Sequence, residues 1–123
     1  MRYMMMVMGD ADFEAGKPAS DELQALMGEY IGRMAAEGIF VDGAGLMPSS
    51  QGFKAHARNG EISITDGPFT EAKEIIGGYA IVDVRDEAHA REVVREFIGL
   101  HTRTGYTDVT CEIRRMEDVP AAE

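Results

Sequence analysis

Residues 52–69 read GFKAHARNGEISITDGPF, and this stretch decides the middle of the fold. Two short runs of alternating character flank Asn59-Gly60, the strongest short signal for a β-hairpin turn. A two-residue loop fixes the pairing register, so Phe53 faces Asp66 at the open end of the hairpin. One face of the hairpin is then apolar and ends in Asp66. Its apolar members are Phe53, Ala55, Ala57, Ile62 and Ile64.

Asp66 opens a Gly-Pro turn at residues 66–69, and two interpretations of this acid are open. An unpaired carboxylate on a buried apolar face is costly, so Asp66 must be paired, capping or half-exposed. In the functional interpretation it is an acid or base in a pocket, and Lys73 orients an anionic group or tunes the acidity of Asp66. In the structural interpretation it accepts backbone N–H groups across the turn. The candidates here are Asp66 and Lys73 as catalytic groups, with Phe53, Phe69 and Glu71 as ligand contacts.

Around the hairpin, hydrophobic periodicity predicts four further strands and two helices. Apolar residues at three- and four-residue spacing predict a helix over residues 21–37, with Asp21 as its N-cap and Gly38 after its last turn. A second helix begins after Asp86 and ends near Gly99 or Gly105. The remaining strands are predicted at residues 3–8, 39–46, 75–84 and 108–115, and residues 9–18 are predicted to form a polar loop.

The order of these elements predicts an α+β, ferredoxin-like fold: a β-α-β-β-β-α-β chain with two helices on one face of an antiparallel sheet. Two helices cannot cover both faces, yet the strands at residues 3–8 and 75–84 are apolar on both. We therefore expect a homodimer through the open sheet face, as in a dimeric α+β barrel. Residues 1–117 are predicted to form the single domain, and residues 118–123 a frayed tail.

Composition narrows the classes of function. The chain has 123 residues and a formal net charge of −10. Its basic residues are scattered, which disfavours nucleic acid or an anionic membrane surface as a partner, because both need a cationic stripe. The apolar start, residues 1–8, is too short for a signal-peptide core with a cleavage site, and far too short to span a bilayer. The single cysteine excludes an internal disulfide and fits a reducing, cytoplasmic location.

Three further residues are candidates outside the hairpin. His101 lies in helical step with Phe97 and is the one histidine to test as an acid–base group, although a satisfied helix-end histidine is the simpler interpretation. Asp10 follows the first strand, where a loop could reach a cleft at the sheet edge. Tyr79 could offer its hydroxyl to a ligand or lie in an interface. No motif predicts a cofactor, and no His/Cys cluster predicts a metal site.

The turn at residues 66–69 and the Gly77-Gly78 pair resemble the YCII-related family, in its DGPF-domain branch. The opening strand with its acidic loop, residues 2–10, resembles the start of that family, and residues 43–48 resemble its G-x-L-x-P segment. The resemblance implies a ferredoxin-like fold, a homodimer and a cleft at the sheet edge. Shorter members of this superfamily have a His–Asp pair suited to acid–base chemistry, and one acts as a dehydrochlorinase. Ser20 stands where that histidine would be, so the base does not carry over.

Two functions follow as hypotheses. The first is a small homodimeric protein that binds a small molecule in a cleft near the turn at residues 66–69. If it is catalytic, cofactor-free acid–base chemistry of the lyase or isomerase type fits best, since no cofactor motif is visible. The alternative is a non-catalytic dimeric module with an interaction or regulatory role.

Overall fold

The computed structural model describes residues 1–69 and 75–118, which form six strands, three α-helices and one 3₁₀ turn. In chain order the elements are β1 (Arg2–Met8), α1 (Ala11–Glu14), α2 (Asp21–Ala36), β2 (Phe40–Gly45), a 3₁₀ helix (Ser49–Gln51), β3 (Phe53–Arg58), β4 (Glu61–Asp66), β5 (Ile76–Asp83), α3 (Glu87–Arg103) and β6 (Cys111–Arg115).

Four strands form one antiparallel sheet in the order β2-β5-β1-β6, with α2 and α3 on the same face. Buried residues of β1 and β5, such as Met5 and Val82, pack with Leu23 of α2 and Phe97 of α3. Burying these large side chains removes apolar area from water, which is the main stabilisation of such a domain. The predicted α+β, ferredoxin-like fold is confirmed.

The start of α2 differs from the prediction. Ser20, not Asp21, is the N-cap, and its hydroxyl accepts the Leu23 N–H at 3.2 Å. Asp21 is instead the first helical residue, where its negative charge favours the positive end of the helix dipole. At the other end Gly38 has a φ of 76°, the left-handed conformation that the sequence predicted for it.

The loop predicted at residues 9–18 contains a short helix, α1. Asp10 begins it, and its carboxylate accepts the Phe13 N–H at 2.8 Å. Such a cap satisfies one of the free N–H groups at a helix start, which is why a polar loop with an early acid can form a helical turn.

The hairpin pairs in the predicted register, from Phe53 opposite Asp66 to Arg58 opposite Glu61. Asn59 and Gly60 have φ values of 53° and 80°, the pair of positive values that a two-residue hairpin turn requires. However, β3 and β4 form a separate two-stranded sheet and do not join the larger one. Every residue of these two strands is exposed.

The face of the main sheet opposite the helices is also apolar at its centre. By strand alternation, Met4 and Met6 of β1 lie on this face beside Ile81 and Tyr79 of β5, their direct partners. All four are half-buried and lie outside the core cluster. We call this surface the open sheet face. Within residues 1–69 and 75–118, no helix has both the length and the apolar character that crossing a bilayer requires.

Candidate functional site

A cavity of about 550 Å³ lies between the helices and the main sheet. Its walls are mostly apolar, and many of them belong to the same side chains that form the core. The principal wall residues are Met5, Val7 and Val82 of the sheet, Leu23 and Met27 of α2, and Phe97 of α3. The volume is in the range of small-molecule sites, about 300–1,000 Å³.

Glycines, which have no side chains, form the part of the cavity wall where β2 pairs with β5. Gly43 is required there, because a Cβ at this position would lie 2.7 Å from the Tyr79 carbonyl oxygen. The other wall glycines of these two strands are Gly45, Gly77 and Gly78. Side chains that would otherwise fill the space are therefore missing from both strands. In the sequence, the pair Gly77-Gly78 predicts a close approach of strands, but it does not predict a cavity.

His101 is the polar side chain buried in the cavity wall. It lies at the end of α3 and is only 6% exposed. Its Nδ1 is 3.0 Å from the Phe97 carbonyl oxygen, and because a carbonyl can only accept, Nδ1 carries the hydrogen. In the neutral ring Nε2 is then a free acceptor.

No described residue bonds with His101 Nε2. Yet among the described residues, every fully buried side-chain nitrogen or oxygen has a hydrogen-bond partner. Nε2 is therefore not fully enclosed by protein, and His101 is one of the residues that line the cavity. The largely apolar chamber thus has a buried imidazole in its wall.

Two aromatic rings hold this imidazole in place. The Phe97 ring lies edge-on with its centroid 4.9 Å away, and the Tyr106 ring lies edge-on at 5.9 Å. The Tyr106 hydroxyl in turn accepts the Ser20 N–H at 3.0 Å, which ties the chain after α3 to the start of α2. Ser20 is thus engaged as a helix cap.

Acidic residues surround the exposed side of the cavity. Asp10, Asp12 and Asp108 line it, together with Lys17. The Lys17 ammonium lies 3.4 Å from the Asp12 carboxylate, and both side chains are exposed. Asp10, a predicted ligand contact, therefore lies at the cavity as the cap of α1.

The turn at residues 66–69 is anchored to a cavity wall through Ser49. The Phe69 N–H donates to the Ser49 hydroxyl at 3.0 Å, and the Gly67 N–H donates to the Gly52 carbonyl at 2.9 Å. Ser49 is buried, and both its N–H, at 2.9 Å, and its hydroxyl donate to the Glu14 carboxylate. Since Glu14 belongs to α1, the turn is linked to the helix that borders the cavity.

The described site residues of the hairpin, Phe53, Asp66 and Phe69, are not among the residues that line the cavity. Asp66 is exposed, and no described residue donates a hydrogen bond to its carboxylate. Phe53 is 67% exposed, whereas Phe69 is half-buried beneath the Lys54 ammonium, 4.3 Å from its ring centroid. Glu71 and Lys73 lie outside the described residues. The roles predicted for these five residues stay predictions.

Tyr79 borders the cavity, but strand alternation directs its side chain to the open sheet face. Its predicted role at an interface therefore remains open, and its hydroxyl is not directed into the chamber. Sequence reasoning did single out His101, because its spacing from Phe97 placed it on the buried side of α3. Sequence reasoning did not anticipate Tyr106, which lies in the connection between α3 and β6, outside any run of hydrophobic periodicity.

Two further titratable groups near the core favour their neutral forms. Burial, reinforced by the Glu96 carboxylate, raises the pKa of Tyr30 to about 12, and its hydroxyl donates to the Val93 carbonyl at 2.9 Å. Burial also raises the pKa of Cys111 to about 11. Both groups therefore keep their protons near neutral pH. In the described part of the chain, no three His, Cys, Asp or Glu residues come together as a metal site.

One known protein family matches most of the chain. The model of the YCII-related domain matches residues 1–97, from β1 through most of α3. No curated protein matches the chain. His101 and Tyr106 lie just beyond the matched residues, so the buried imidazole is a feature of this chain that the family match does not cover.

Proposed function

The chain belongs to the YCII-related family, and on this premise we propose that it binds a small, largely apolar molecule in the cavity and exchanges a proton with it through His101. The observation that carries the proposal is the free Nε2 acceptor of a buried imidazole at the wall of an apolar chamber of about 550 Å³. A buried acceptor that the protein leaves unbonded is suited to a ligand's hydroxyl or activated C–H group.

The surroundings of His101 suit proton transfer. As Nε2 takes a proton, the Nδ1–H bond to the Phe97 carbonyl stabilises the resulting imidazolium. The same imidazolium can return the proton to another atom of the ligand, which is an isomerisation, or to a leaving group, which is an elimination. Neither reaction needs a cofactor, so the proposal is a lyase- or isomerase-type activity on a neutral ligand.

The turn at residues 66–69 has an indirect part in this proposal. Through Ser49 and Glu14 it holds α1, and α1 carries Asp10 and Phe13 at the cavity. Asp66 and Lys73 remain candidates for a second group at the hairpin base, with Glu71, Phe53 and Phe69 as its contacts. Asp66→Asn tests that candidate, because the substitution removes the charge and keeps the shape.

Homodimerisation through the open sheet face completes the proposal, in a protein of the cytoplasm. Met4, Met6, Tyr79 and Ile81 form an uncharged centre there, outside the core. Burying this surface against its own copy would remove a contiguous apolar patch from water, which favours association.

Phenol is a suitable probe of binding, because it combines an apolar ring with one hydroxyl donor. Titration of phenol into the protein, followed by NMR of the histidine ring protons, should shift the His101 signals. His101→Phe keeps a ring and removes the acceptor, so it should weaken phenol binding about tenfold, the value of one hydrogen bond. His56→Phe on the exposed hairpin is the matched control. Equal binding by the wild type and His101→Phe would remove His101 from the site.

Proton transfer needs a separate measurement. Cyclohexanone dissolved in D₂O exchanges its α-protons when a base abstracts them, and proton NMR follows the loss of signal. We expect the protein to accelerate this exchange and His101→Phe to abolish the acceleration. Binding of phenol without any acceleration would leave a binding protein and contradict the catalytic part.

The alternative is a non-catalytic dimeric module that acts through protein contacts. The exposed apolar face of the hairpin favours it, because such a surface is typical of an interaction site. Dimerisation together with a complete absence of phenol binding would support this alternative over the first proposal.

A further inference from the structure

We propose that the hairpin of β3 and β4, residues 53–66, is a dimerisation arm whose apolar face packs against a second copy of this chain. The inference rests on the proposed homodimer and adds a second element to its interface. We call this hairpin the arm.

The arm exposes large apolar side chains on one face only. Phe53 is 67% exposed, Ile62 77% and Ile64 66%. The register places these three on the same face with Ala55 and Ala57, while Lys54, His56 and Ser63 alternate onto the other. This alternation is typical of a strand pair that is buried on one side. An isolated two-stranded hairpin is at most marginally stable in water, so the apolar face needs a cover.

The net charge of the chain limits which surfaces of two copies can be in contact. Two copies with a net charge of −10 each repel one another overall, so the surfaces through which they meet should carry little net charge. The apolar face of the arm has one acid, Asp66, at its base, and the centre of the open sheet face, on β1 and β5, has none. Asp42 of β2 and the oppositely charged pair Glu112 and Arg114 of β6 flank that centre. One chain therefore carries two surfaces with apolar centres that a second copy can cover.

The size of the surfaces also points to a second copy. Six-residue strands are about 20 Å long and two of them about 10 Å wide, so the arm covers about 200 Å². The four-stranded open face covers about 400 Å² by the same dimensions. In a two-fold dimer the arm and the open sheet face together give about 600 Å² per copy, or about 1,200 Å² over both copies. That reaches the lower end of stable interfaces, about 1,200–2,000 Å² in total, whereas the sheet faces alone, about 800 Å², fall below it.

The root of the arm is held in a defined position. The Gly67 and Phe69 N–H groups bond to the 3₁₀ segment and Ser49, and Ser49 is bonded to Glu14. A fixed root lowers the conformational entropy lost when the arm docks, which strengthens association.

The test compares substitutions on the two faces of one strand. Ile62→Asp and Ile64→Asp place a charge on the apolar face, and Ser63→Asp places the same charge on the polar face between them. Sedimentation equilibrium at micromolar concentration measures the dimer, and circular dichroism checks the fold. We expect a wild-type dimer that Ser63→Asp leaves intact, and an increase of at least about tenfold in the dissociation constant for each isoleucine variant. All three positions are exposed, so the monomer fold should be unaffected.

Met6→Asp separates this inference from the homodimer on which it rests, because Met6 lies on the open sheet face. Loss of the dimer in Met6→Asp but not in Ile62→Asp or Ile64→Asp would overturn the arm and leave the sheet dimer standing. Equal weakening by Ser63→Asp would also overturn it, since the effect would then not depend on the apolar face. A monomeric wild-type protein would refute both proposals.

Discussion

Replacing Gly67 by alanine should detach the turn at residues 66–69 from its support. A Cβ at this position would lie 1.8 Å from the Ser49 carbonyl oxygen and 2.7 Å from the Ser49 carbonyl carbon. Both are backbone atoms of a buried residue, so no side-chain rotation relieves the contact. To reach an ordinary contact of 3.4 Å the turn must move away by about 1.6 Å.

A movement of that size breaks two hydrogen bonds. The Gly67 N–H lies 2.9 Å from the Gly52 oxygen, and the Phe69 N–H lies 3.0 Å from the Ser49 hydroxyl. Each such bond contributes about 1 kcal/mol net, and some strain remains after the movement. We therefore expect Gly67→Ala to lower the free energy of unfolding by about 2–3 kcal/mol.

Gly52→Ala is the matched control, because Gly52 lies across the same contact. Its Cβ would lie 3.6 Å from the Ser49 oxygen, an ordinary distance, and its φ of −120° suits any residue. We expect this variant to stay within about 0.5 kcal/mol of the wild type. Urea unfolding at one fixed protein concentration compares the three proteins, and hydrogen exchange should show the Phe69 amide losing protection only in Gly67→Ala. A Gly67→Ala protein as stable as Gly52→Ala would refute the reasoning.

Three further outcomes follow from α2 and the core. Gly32→Ala should stabilise the protein by up to about 1 kcal/mol in thermal unfolding, because Gly32 is exposed within α2 and a Cβ there meets nothing within 4 Å; a loss of stability would show that the space is filled. Ser20→Ala should destabilise by about 1 kcal/mol and Asp21→Ala by less, since Ser20 is the cap; the reverse order would restore Asp21 as the cap. Stability should fall as pH rises from 9 to 12, because folding raises the pKa of Cys111 from 9.0 to about 11 and that of Tyr30 from 10.0 to about 12. The unfolded chain then binds fewer protons than the native one, so the urea midpoint must decrease over this range; an increase would contradict the sign.

Local signals explain which parts of the fold were predictable. The register of the arm followed from Asn59-Gly60, because a two-residue turn leaves one pairing that places like residues on one face. The end of α2 followed from Gly38 for the same kind of reason, a positive φ that glycine adopts without strain. Both depend on neighbours in the chain and on no distant contact.

The N-cap of α2 shows where local signals fail. Ser20 and Asp21 are adjacent and both are good caps, so the sequence offers no basis for choosing between them. Tyr106 makes the choice, because its hydroxyl accepts the Ser20 N–H and fixes the direction in which the chain enters the helix. That contact joins residues 86 positions apart.

The candidate site stays a prediction, although the structure locates two of its residues. His101, singled out by its spacing from Phe97, is buried in α3, and Asp10 is one of the residues that line the cavity. The turn at residues 66–69 was the more prominent motif, yet the structure leaves Asp66 exposed and joins the described part of the turn to α1 through Ser49 and Glu14.

The sequence by itself determined the order of the described strands and of the two long helices, the register of the arm and the presence of two apolar sheet faces, since each follows from periodicity and turn chemistry within a few residues. Only the tertiary structure decided that the arm leaves the main sheet, that glycines and distant core side chains enclose a chamber, and that His101 lies in its wall. The physical reason is that a cavity forms where segments distant in the sequence pack together without filling the space between them. No single segment of the sequence contains that information.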